Sequence, residues 1–390
     1  MAREEKPHIP QRPEELTAEW FTETLAERSA GATVTHVDPV EIGVGIGFVG
    51  EIFRCTLTWD RDDPDLPASV VAKVPSTTKA NRALGEGLMA YEREINIYRD
   101  AHGQLNIPMP EHIYTAMDPN PAPWMMGVLE FLFDRLPLRG VNWLIDRLLS
   151  LPESRLRRYL LVMEDIADAR PAAQFDGGSL EDAHRSLALL AKFHAANWMN
   201  EQLLEEQPLI WALSRNPKVF QAGYVRNRDQ FIEHFGQLIG PGAVDHLDAL
   251  QDEVPVLSRQ LTTVPWTILH GDYRLDNILF REDGSIVVLD YQLLLWGRAG
   301  WDVAYFITTA LDPKHRDEEN DLLRSYHESL LAEGITDYAF DELIVDVRMA
   351  KELLAHRMVG SGDILDTEVE GRDQSFIELM VCRVCGWVDM

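Results

Sequence analysis

Cysteine is scarce in this chain, at three among 390 residues. An odd count of three leaves no disulfide framework to hold a small secreted fold. It points instead to a reducing, cytoplasmic setting. Two of the three form Cys382-x-x-Cys385, but a metal knuckle needs a second pair, and the sequence has none. Residues 376–381 read as a buried helix, so this pair belongs to a core. Bases are also in short supply: 36 Lys and Arg face 64 Asp and Glu, a formal net charge of −28. Nucleic acid and anionic membranes are thereby disfavoured as partners, because binding them takes an excess of positive charge. Apolar runs are short. None approaches the ~20 residues that a helix needs to cross a bilayer. Residues 1–16 lack the apolar stretch of a secretory signal.

What is present suffices for a large fold. A hydrophobic content of 46% and an aromatic content of 9% are those of a globular chain, and the length supports two cores or one two-lobed domain.

The most informative stretch is residues 268–306. Two short β-prone runs, residues 278–280 and 285–289, flank Arg281-Glu282-Asp283-Gly284, which carries an Asp-Gly turn signal. With a two-residue loop, Asn277 falls opposite Asp290; a longer loop shifts the pairing by a residue or two. His270-Gly271-Asp272 lies just before the first strand. Two carboxylates and a carboxamide therefore converge at the open end of a hairpin. Phosphoryl transfer from a nucleotide needs that set: oxygen ligands for Mg²⁺ and a carboxylate beside the attacking hydroxyl. Asp272 and Asn277 have the D-x-x-x-x-N spacing of a kinase catalytic loop, and Asp290 ends the next strand, where a kinase keeps its metal-binding aspartate. Any one of these residues is commonplace in a turn; the joint spacing is not.

His270-Gly271-Asp272-x-x-x-x-Asn277 followed by Leu289-Asp290-Tyr291-Gln292 resembles the aminoglycoside phosphotransferase and choline-kinase-like superfamily. Asp290-Tyr291-Gln292 and Asp302-Val303-Ala304-Tyr305 are most similar to its ecdysteroid-kinase-like branch. Protein kinases carry His-Arg-Asp and Asp-Phe-Gly at these places and an Ala-Pro-Glu segment later; this chain has neither motif at these places and no Ala-Pro-Glu segment. The resemblance covers residues 40–310. It implies an α+β, bilobal protein-kinase-like fold: a small antiparallel β lobe over residues 1–165, including an insert at 117–158, and a larger helical lobe over 166–390 with the catalytic loop at 268–302.

The amino-terminal half fits that frame. Residues 17–30 read as a helix with Thr17 as cap, and residues 33–40 as a strand. Gly45-x-Gly47-x-x-Gly50 is not followed by the helix that a dinucleotide-binding turn requires. An alternating strand, residues 51–59, follows instead, so a glycine-rich hairpin over nucleotide phosphates is the better reading. Lys73 sits in an otherwise apolar strand, residues 68–74, and needs an anion there. Residues 86–100 read as one helix with a stripe of Leu88, Tyr91, Ile95 and Tyr98. Glu92 and Glu94 flank that stripe, and periodicity leaves both open. The resemblance points to Glu94 as the partner that would hold Lys73 on the phosphates. Residues 107–114, with two prolines, read as an extended edge, and residues 124–133 as β-prone. Residues 135–158 hold six arginines against Asp146 and Glu153; within them residues 142–151 read as an amphipathic helix with a solvated basic face, the alternatives being a substrate lid, a dimer contact or a membrane-touching patch. Residues 159–163 form a strand leading to a hinge at 163–166, where the resemblance implies that Met163 and Asp165 meet the adenine.

Beyond the hinge the pattern is helical, over residues 180–198, 219–236, 241–261, 316–333, 340–358 and 372–388. His194 reads as a core histidine bonded to backbone. Arg274 flanks the site and is placed to touch phosphate. Trp198, Trp211, Phe220, Tyr224 and Phe231 read as core residues or as the lining of an acceptor pocket. Loop 359–371, rich in acids, reads as a linker or as cover for a pocket. Taken together, the resemblance implies an ATP- and Mg²⁺-dependent phosphotransferase acting on a hydroxyl of a small molecule. Asp272 would be catalytic, Asn277 and Asp290 would hold the metal, and Lys73, Glu94, Gly45, Gly47, Gly50, Met163 and Asp165 would serve the nucleotide. Asp302 would brace the catalytic loop. The alternative is a nucleotide-binding pseudokinase or interaction module. The acidic balance suits a cationic acceptor, whereas the aromatic helices and the branch resemblance suit a lipophilic alcohol.

Overall fold

Period-two alternation builds the first sheet. The computed structural model describes residues 8–43, 49–152, 156–171, 177–361 and 374–386, and the chain forms two compact units. The first comprises residues 1–102, 110–122 and 148–167. Helix α1 (Ala18–Thr24) starts where the Thr17 hydroxyl accepts the Trp20 N–H, and it is shorter than expected. Strands β1 (Val34–Ile42), β2 (Gly50–Trp59) and β3 (Ser69–Pro75) follow, then helices α2 (Lys79–Gly87) and α3 (Ala90–Asp100), and strands β4 (His112–Met117) and β5 (Tyr159–Glu164). The sheet order is β1-β2-β3-β5-β4, antiparallel throughout. In β2, Phe53, Cys55 and Leu57 are buried while Arg54, Thr56 and Thr58 face water, so one face packs onto Phe21, Val34, Val70, Ala72, Leu160 and Val162. β4 is an edge, as the prolines ahead of it require.

Residues 86–100 are not one helix. The chain breaks between α2 and α3 at Met89, whose φ of +54° is left-handed. Gly85 and Gly87 weaken the end of α2. Gly85 has no room for a side chain: a Cβ there would lie 2.2 Å from Val49 Cγ1.

The second unit comprises residues 103–109, 123–147 and 168–390. Residues 124–133 do not extend as a strand. They form helix α4 (Met125–Arg135), followed by α5 (Leu138–Leu149). Both are anchored on the long helix Pro217–Ile239, which is why residues 123–147 group with this unit and not with the first sheet. Strand propensity in a short apolar run is a weak prior, and packing against a helix overrides it. Strand β6 (Ala169–Pro171), helices α6 (Leu180–Ala196) and α7 (Glu201–Glu206), strand β7 (Trp211–Ala212) and helices α8 (Pro217–Ile239), α9 (Pro241–Leu250) and α10 (Val254–Gln260) come next. The expected helix at 241–261 is thus two, the second opening on a proline in its first turn. On α8, Lys218 Nζ donates to the Asp134 and Leu136 carbonyls, and Arg226 pairs with Asp146 at 2.6 Å.

Strands β8 (Thr267–Leu269), β9 (Ile278–Arg281), β10 (Ile286–Val288) and β11 (Leu295–Gly297) carry the informative stretch. They form two three-stranded sheets, β10-β9-β6 and β7-β11-β8. Helices α11 (Gly300–Ala310), α12 (Glu319–Ala332), α13 (Phe340–Gly360) and α14 (Gln374–Cys385) complete the unit. Cys55, Cys382 and Cys385 are all free thiols, Cys55 and Cys385 fully buried. The described arginines on α4 and α5, Arg135, Arg139 and Arg147, are exposed and form the expected solvated basic face, but the two arginines that lead into β5 do not. Arg157 is buried against Glu86 and Glu92 at 2.7 and 2.6 Å, and Arg158 pairs with Asp118. No described helix is long and apolar enough to cross a membrane.

Candidate active site

In the first unit, Lys73 lies on β3, the middle strand of the sheet, and its Nζ is 2.9 Å from Glu94 Oε1 on α3. Both residues are buried, at 8% and 3% exposure. The structure also resolves the ambiguity of the helix stripe, since Glu92 is taken by Arg157. Gly50 pairs opposite Pro75 at the start of β2, and a Cβ there would meet Val74 O at 3.0 Å and the Lys73 stem at 3.6 Å. Its bare backbone therefore lies along the lysine. Gly45 and Gly47 lie outside the described residues. Met163 is buried in β5 between Val71 and His112. The Asp165 carboxylate accepts from Arg54 at 2.8 and 2.9 Å and from the Ser69 hydroxyl at 2.6 Å. That side chain has a structural job, so any contact made to a ligand at Asp165 would come from its backbone.

In the second unit, the hairpin closes with a three-residue loop. Arg281 N–H donates to Ser285 O, Gly284 N–H donates to Arg281 O, and Gly284 takes a φ of +89°. The pairing Phe280↔Ile286 and Ile278↔Val288 then sets Asn277 beside Leu289, whose N–H donates to Asn277 O at 2.8 Å. Asp290 is the next residue. It has a left-handed φ of +66°, and its Oδ1 accepts the Gln292 N–H at 3.3 Å. Asn277 ends a tight turn, Leu275–Asn277, which swings its amide back over the preceding loop. Its Nδ2 donates to Asp272 O at 2.9 Å and Asp272 Oδ2 at 3.0 Å. The carboxamide oxygen of Asn277 is thus turned away from Asp272.

Asp302 shapes the loop that presents Asp272. It is fully buried at the start of α11. Its Oδ2 accepts the His270 N–H at 2.6 Å and its Oδ1 accepts the Gly271 N–H at 2.9 Å. His270 Nε2 is 3.0 Å from Leu289 O and ties the loop to the hairpin. Gly271 has a φ of +82°, and a Cβ there would stand 2.0 Å from Leu293 O, so only glycine fits. Behind Asp302, His194 Nε2 lies 3.2 Å from Oδ2, and His194 Nδ1 lies 2.7 Å from the Tyr326 hydroxyl. His194 is therefore not simply bonded to backbone; it links α12 to the brace.

The charges around Asp272 are balanced locally. Arg274 lies 3.5 Å from Asp272 and 3.6 Å from Asp276. Burial works against its charge, but the carboxylates of Asp272, Asp276 and Asp290 and the Tyr305 phenol outweigh it and hold the guanidinium firmly protonated. Burial raises Asp276, with Arg274 opposing. Tyr305 is the residue sequence reasoning missed. Its hydroxyl hydrogen-bonds Asp272, and burial together with that carboxylate pushes the phenol well above its ordinary range. The available signal was its spacing: three residues after Asp302, it shares a helix face with the brace.

Asn277 and Asp290 offer hard oxygen donors of the kind Mg²⁺ takes, and Asp290 reaches that position only because the hairpin register sets it next to Asn277's neighbour. Among the described residues, no group of three or more His, Cys, Asp or Glu stands close enough to cage an ion. A metal here would depend on phosphate oxygens for much of its shell, which is how Mg²⁺ is commonly held.

The family model described as ecdysteroid kinase-like matches residues 45–335. No curated protein matches the chain. Among solved structures, a spectinomycin phosphotransferase in complex with ADP and spectinomycin is similar over 97% of this chain and 99% of its own, at 12% identity and a TM-score of 0.52. A choline kinase from Cryptosporidium parvum Iowa II is similar over 90% of this chain and 88% of its own, at 12% identity and a TM-score of 0.50. At such identity the likeness speaks to the fold alone, a mixed α+β, protein-kinase-like one.

Proposed function

The chain belongs to the ecdysteroid kinase-like family, and we propose that it is an ATP- and Mg²⁺-dependent phosphotransferase whose acceptor is a hydroxyl of a small molecule. The observation that carries the reading is the Asp272–Asn277–Asp290 constellation on a loop braced by Asp302. A polar hairpin end needs no such brace; a loop that must hold one carboxylate at a fixed place does.

Asp272 holds the acceptor hydroxyl and takes its proton as that oxygen bonds the γ-phosphorus. The γ-phosphorus separates from the β–γ bridging oxygen, and the diphosphate leaves. Asn277 Oδ1 and the Asp290 carboxylate would hold Mg²⁺, which when bound neutralises charge on the phosphates. Lys73, fixed by Glu94, would position phosphates in the same reaction, with the glycine-rich segment that includes Gly45, Gly47 and Gly50 over them. The backbone at Met163 and Asp165 would meet the base. Catalysis of this kind is positioning plus charge neutralisation, so each oxygen ligand matters. The complete polar set weighs against a module that binds nucleotide without transfer.

The test is thermal stabilisation by ATP with Mg²⁺. Nucleotide at roughly 100-fold excess over Kd should stabilise the chain by about 2.7 kcal/mol. Asp290→Ala should lose the metal-dependent part of that shift and all turnover. A variant that keeps near-normal transfer would refute the assignment of Asp290.

A further inference from the structure

Helix α11 is buried along its length with one exception. Of its eleven residues only Tyr305 keeps access to solvent, and Tyr305 is the residue bonded to Asp272. Whatever approaches Asp272 from this side meets Tyr305; behind it on the same helix face lies buried Trp301, which carries Arg357 of α13. The Tyr305 and Trp301 rings lie 6.5 Å apart. The Arg357 guanidinium, from α13, sits 4.5 Å from the Trp301 ring centroid and 4.0 Å from that of Phe220 on α8. Flat guanidinium against two aromatic faces is a fixed, preorganised arrangement that leaves the N–H edge free to bind.

That edge is under-used. Its one described hydrogen bond is from Nη2 to Leu213 O, at 3.3 Å. Three buried arginines of this molecule are matched by carboxylates: Arg157 by Glu86 and Glu92, Arg298 by Asp346 and Glu342, Arg274 by Asp272 and Asp276. No carboxylate of the described residues lies within 4.0 Å of Arg357. The electrostatics follow. Despite burial, Arg157 is held above the ordinary arginine range by Tyr159 together with Glu86 and Glu92, and Arg298 by Asp346 with Tyr338 and Glu342, whereas burial pulls Arg357 down to about 10, with only the Tyr305 phenol opposing. Arg357 remains a cation at neutral pH, but one that an incoming anion would relieve.

Resting on the phosphotransferase reading, we propose that Tyr305, Phe220 and Arg357 form the acceptor subsite, with buried Trp301 backing the guanidinium, and that the acceptor is a hydroxylated compound bearing a carboxylate on an apolar body. The hydroxyl goes to Asp272 beside Tyr305, the apolar body lies along Tyr305 and Phe220, and the carboxylate meets the guanidinium edge in a two-pronged hydrogen bond. The overall charge of −28 is no guide to this site, because a buried cation a few ångströms away outweighs distant, screened surface acids. An amine in place of the carboxylate would meet a like charge.

The experiment uses matched acceptors: hydroxymethylbenzoate, its methyl ester and hydroxymethylbenzylamine, and the corresponding hydroxydodecanoate, ester and aminododecanol. Melting temperature with the non-hydrolysable analogue AMP-PNP and Mg²⁺, and initial rates with ATP, are measured for the full chain and for Arg357→Gln and Arg357→Glu. The acids should stabilise the chain and show a KM roughly tenfold or more below that of their amines. Arg357→Gln should raise KM for the acids far more than for the esters, and Arg357→Glu should reverse the order of acid and amine. Amines preferred by the natural chain, or an acid KM that Arg357→Gln leaves in place, overturns the inference. A variant that does not fold, seen as loss of the AMP-PNP shift, leaves the acid-to-amine order of the natural chain as the deciding result. If nucleotide shifts the melting temperature and no acid does, the inference falls while the phosphotransferase reading stands; if nucleotide has no effect either, both fall.

Discussion

Asp302→Ala should do more damage than any other single truncation in the catalytic segment. The carboxylate is fully buried and accepts two backbone N–H groups, from His270 at 2.6 Å and Gly271 at 2.9 Å, and lies 3.2 Å from His194 Nε2. Removing it strands three buried donors. Each costs about 1–3 kcal/mol when left unpaired, so the local loss is on the order of 3–6 kcal/mol, allowing for donors that find water. Asp302→Asn is the sharper test. Its oxygen can keep one amide, but its NH₂ then faces the other donor, so about half of that loss should remain. Amide hydrogen exchange at His270 and Gly271 reads the effect where it acts: protection should fall by roughly two orders of magnitude or more in Asp302→Ala, at about 1.4 kcal/mol per tenfold. Denaturant titration of the whole chain should show the same ranking. Unchanged protection of these two amides, or a loss below about 1 kcal/mol in both variants, would refute the brace. His194→Phe provides a control from behind, removing the His194–Asp302 and His194–Tyr326 contacts while leaving both amides paired, and should cost less.

Three further outcomes are expected. Glu94→Ala leaves the Lys73 ammonium buried without its carboxylate and should destabilise the first unit by about 3–5 kcal/mol, whereas Lys73→Met with Glu94→Leu removes both charges and should come within about 2 kcal/mol of the natural chain; urea titration of the three variants decides, and equal losses in single and double variants would contradict the pairing. His356, fully buried, stacked on Tyr224 and 2.6 Å from Gln251 Oε1, is pushed down to about 3 by burial and by the Arg357 charge. Between that value and its unfolded value near 6.5 the unfolded chain binds the extra proton, so stability is full above about pH 6.5 and falls as pH drops, by up to about 1.4 kcal/mol per pH unit; denaturant midpoints between pH 7 and pH 5 in the natural chain and in His356→Gln should differ in slope, and parallel lines would sink the assignment. Asp290→Asn should keep the fold within about 1 kcal/mol, since asparagine accepts the left-handed φ at least as well as aspartate, while losing the Mg²⁺-dependent nucleotide shift; calorimetry with and without Mg²⁺ checks both halves.

Much of this protein was legible in one dimension because the relevant physics is local. Alternation in Gly50–Trp59 marked its buried face residue by residue. A single lysine in an apolar strand announced that a carboxylate must face it. The Asp272-to-Asn277 spacing works because a turn of that length folds an amide back on the carboxylate that precedes it, which is what Leu275–Asn277 does. Two local readings failed. The helix over residues 86–100 breaks at Met89, where glycine-weakened α2 yields to packing against Val49 and Tyr91. The apolar run at 124–133 is a helix, because its environment is α8 and not a sheet edge.

What only the tertiary structure decided are contacts between residues far apart in sequence. Periodicity offered Glu92 and Glu94 equally; Arg157, some 65 residues on, claims Glu92 and leaves Glu94 to Lys73. His194 and Tyr326 meet across 132 positions to back the Asp302 brace. Arg357 meets Phe220 and Trp301 from a third helix. Turn chemistry and side-chain period act over a few residues and are written in the chain. Which carboxylate neutralises which buried cation, and which cation is left for a ligand, is settled by the low-dielectric interior once distant elements have closed around it.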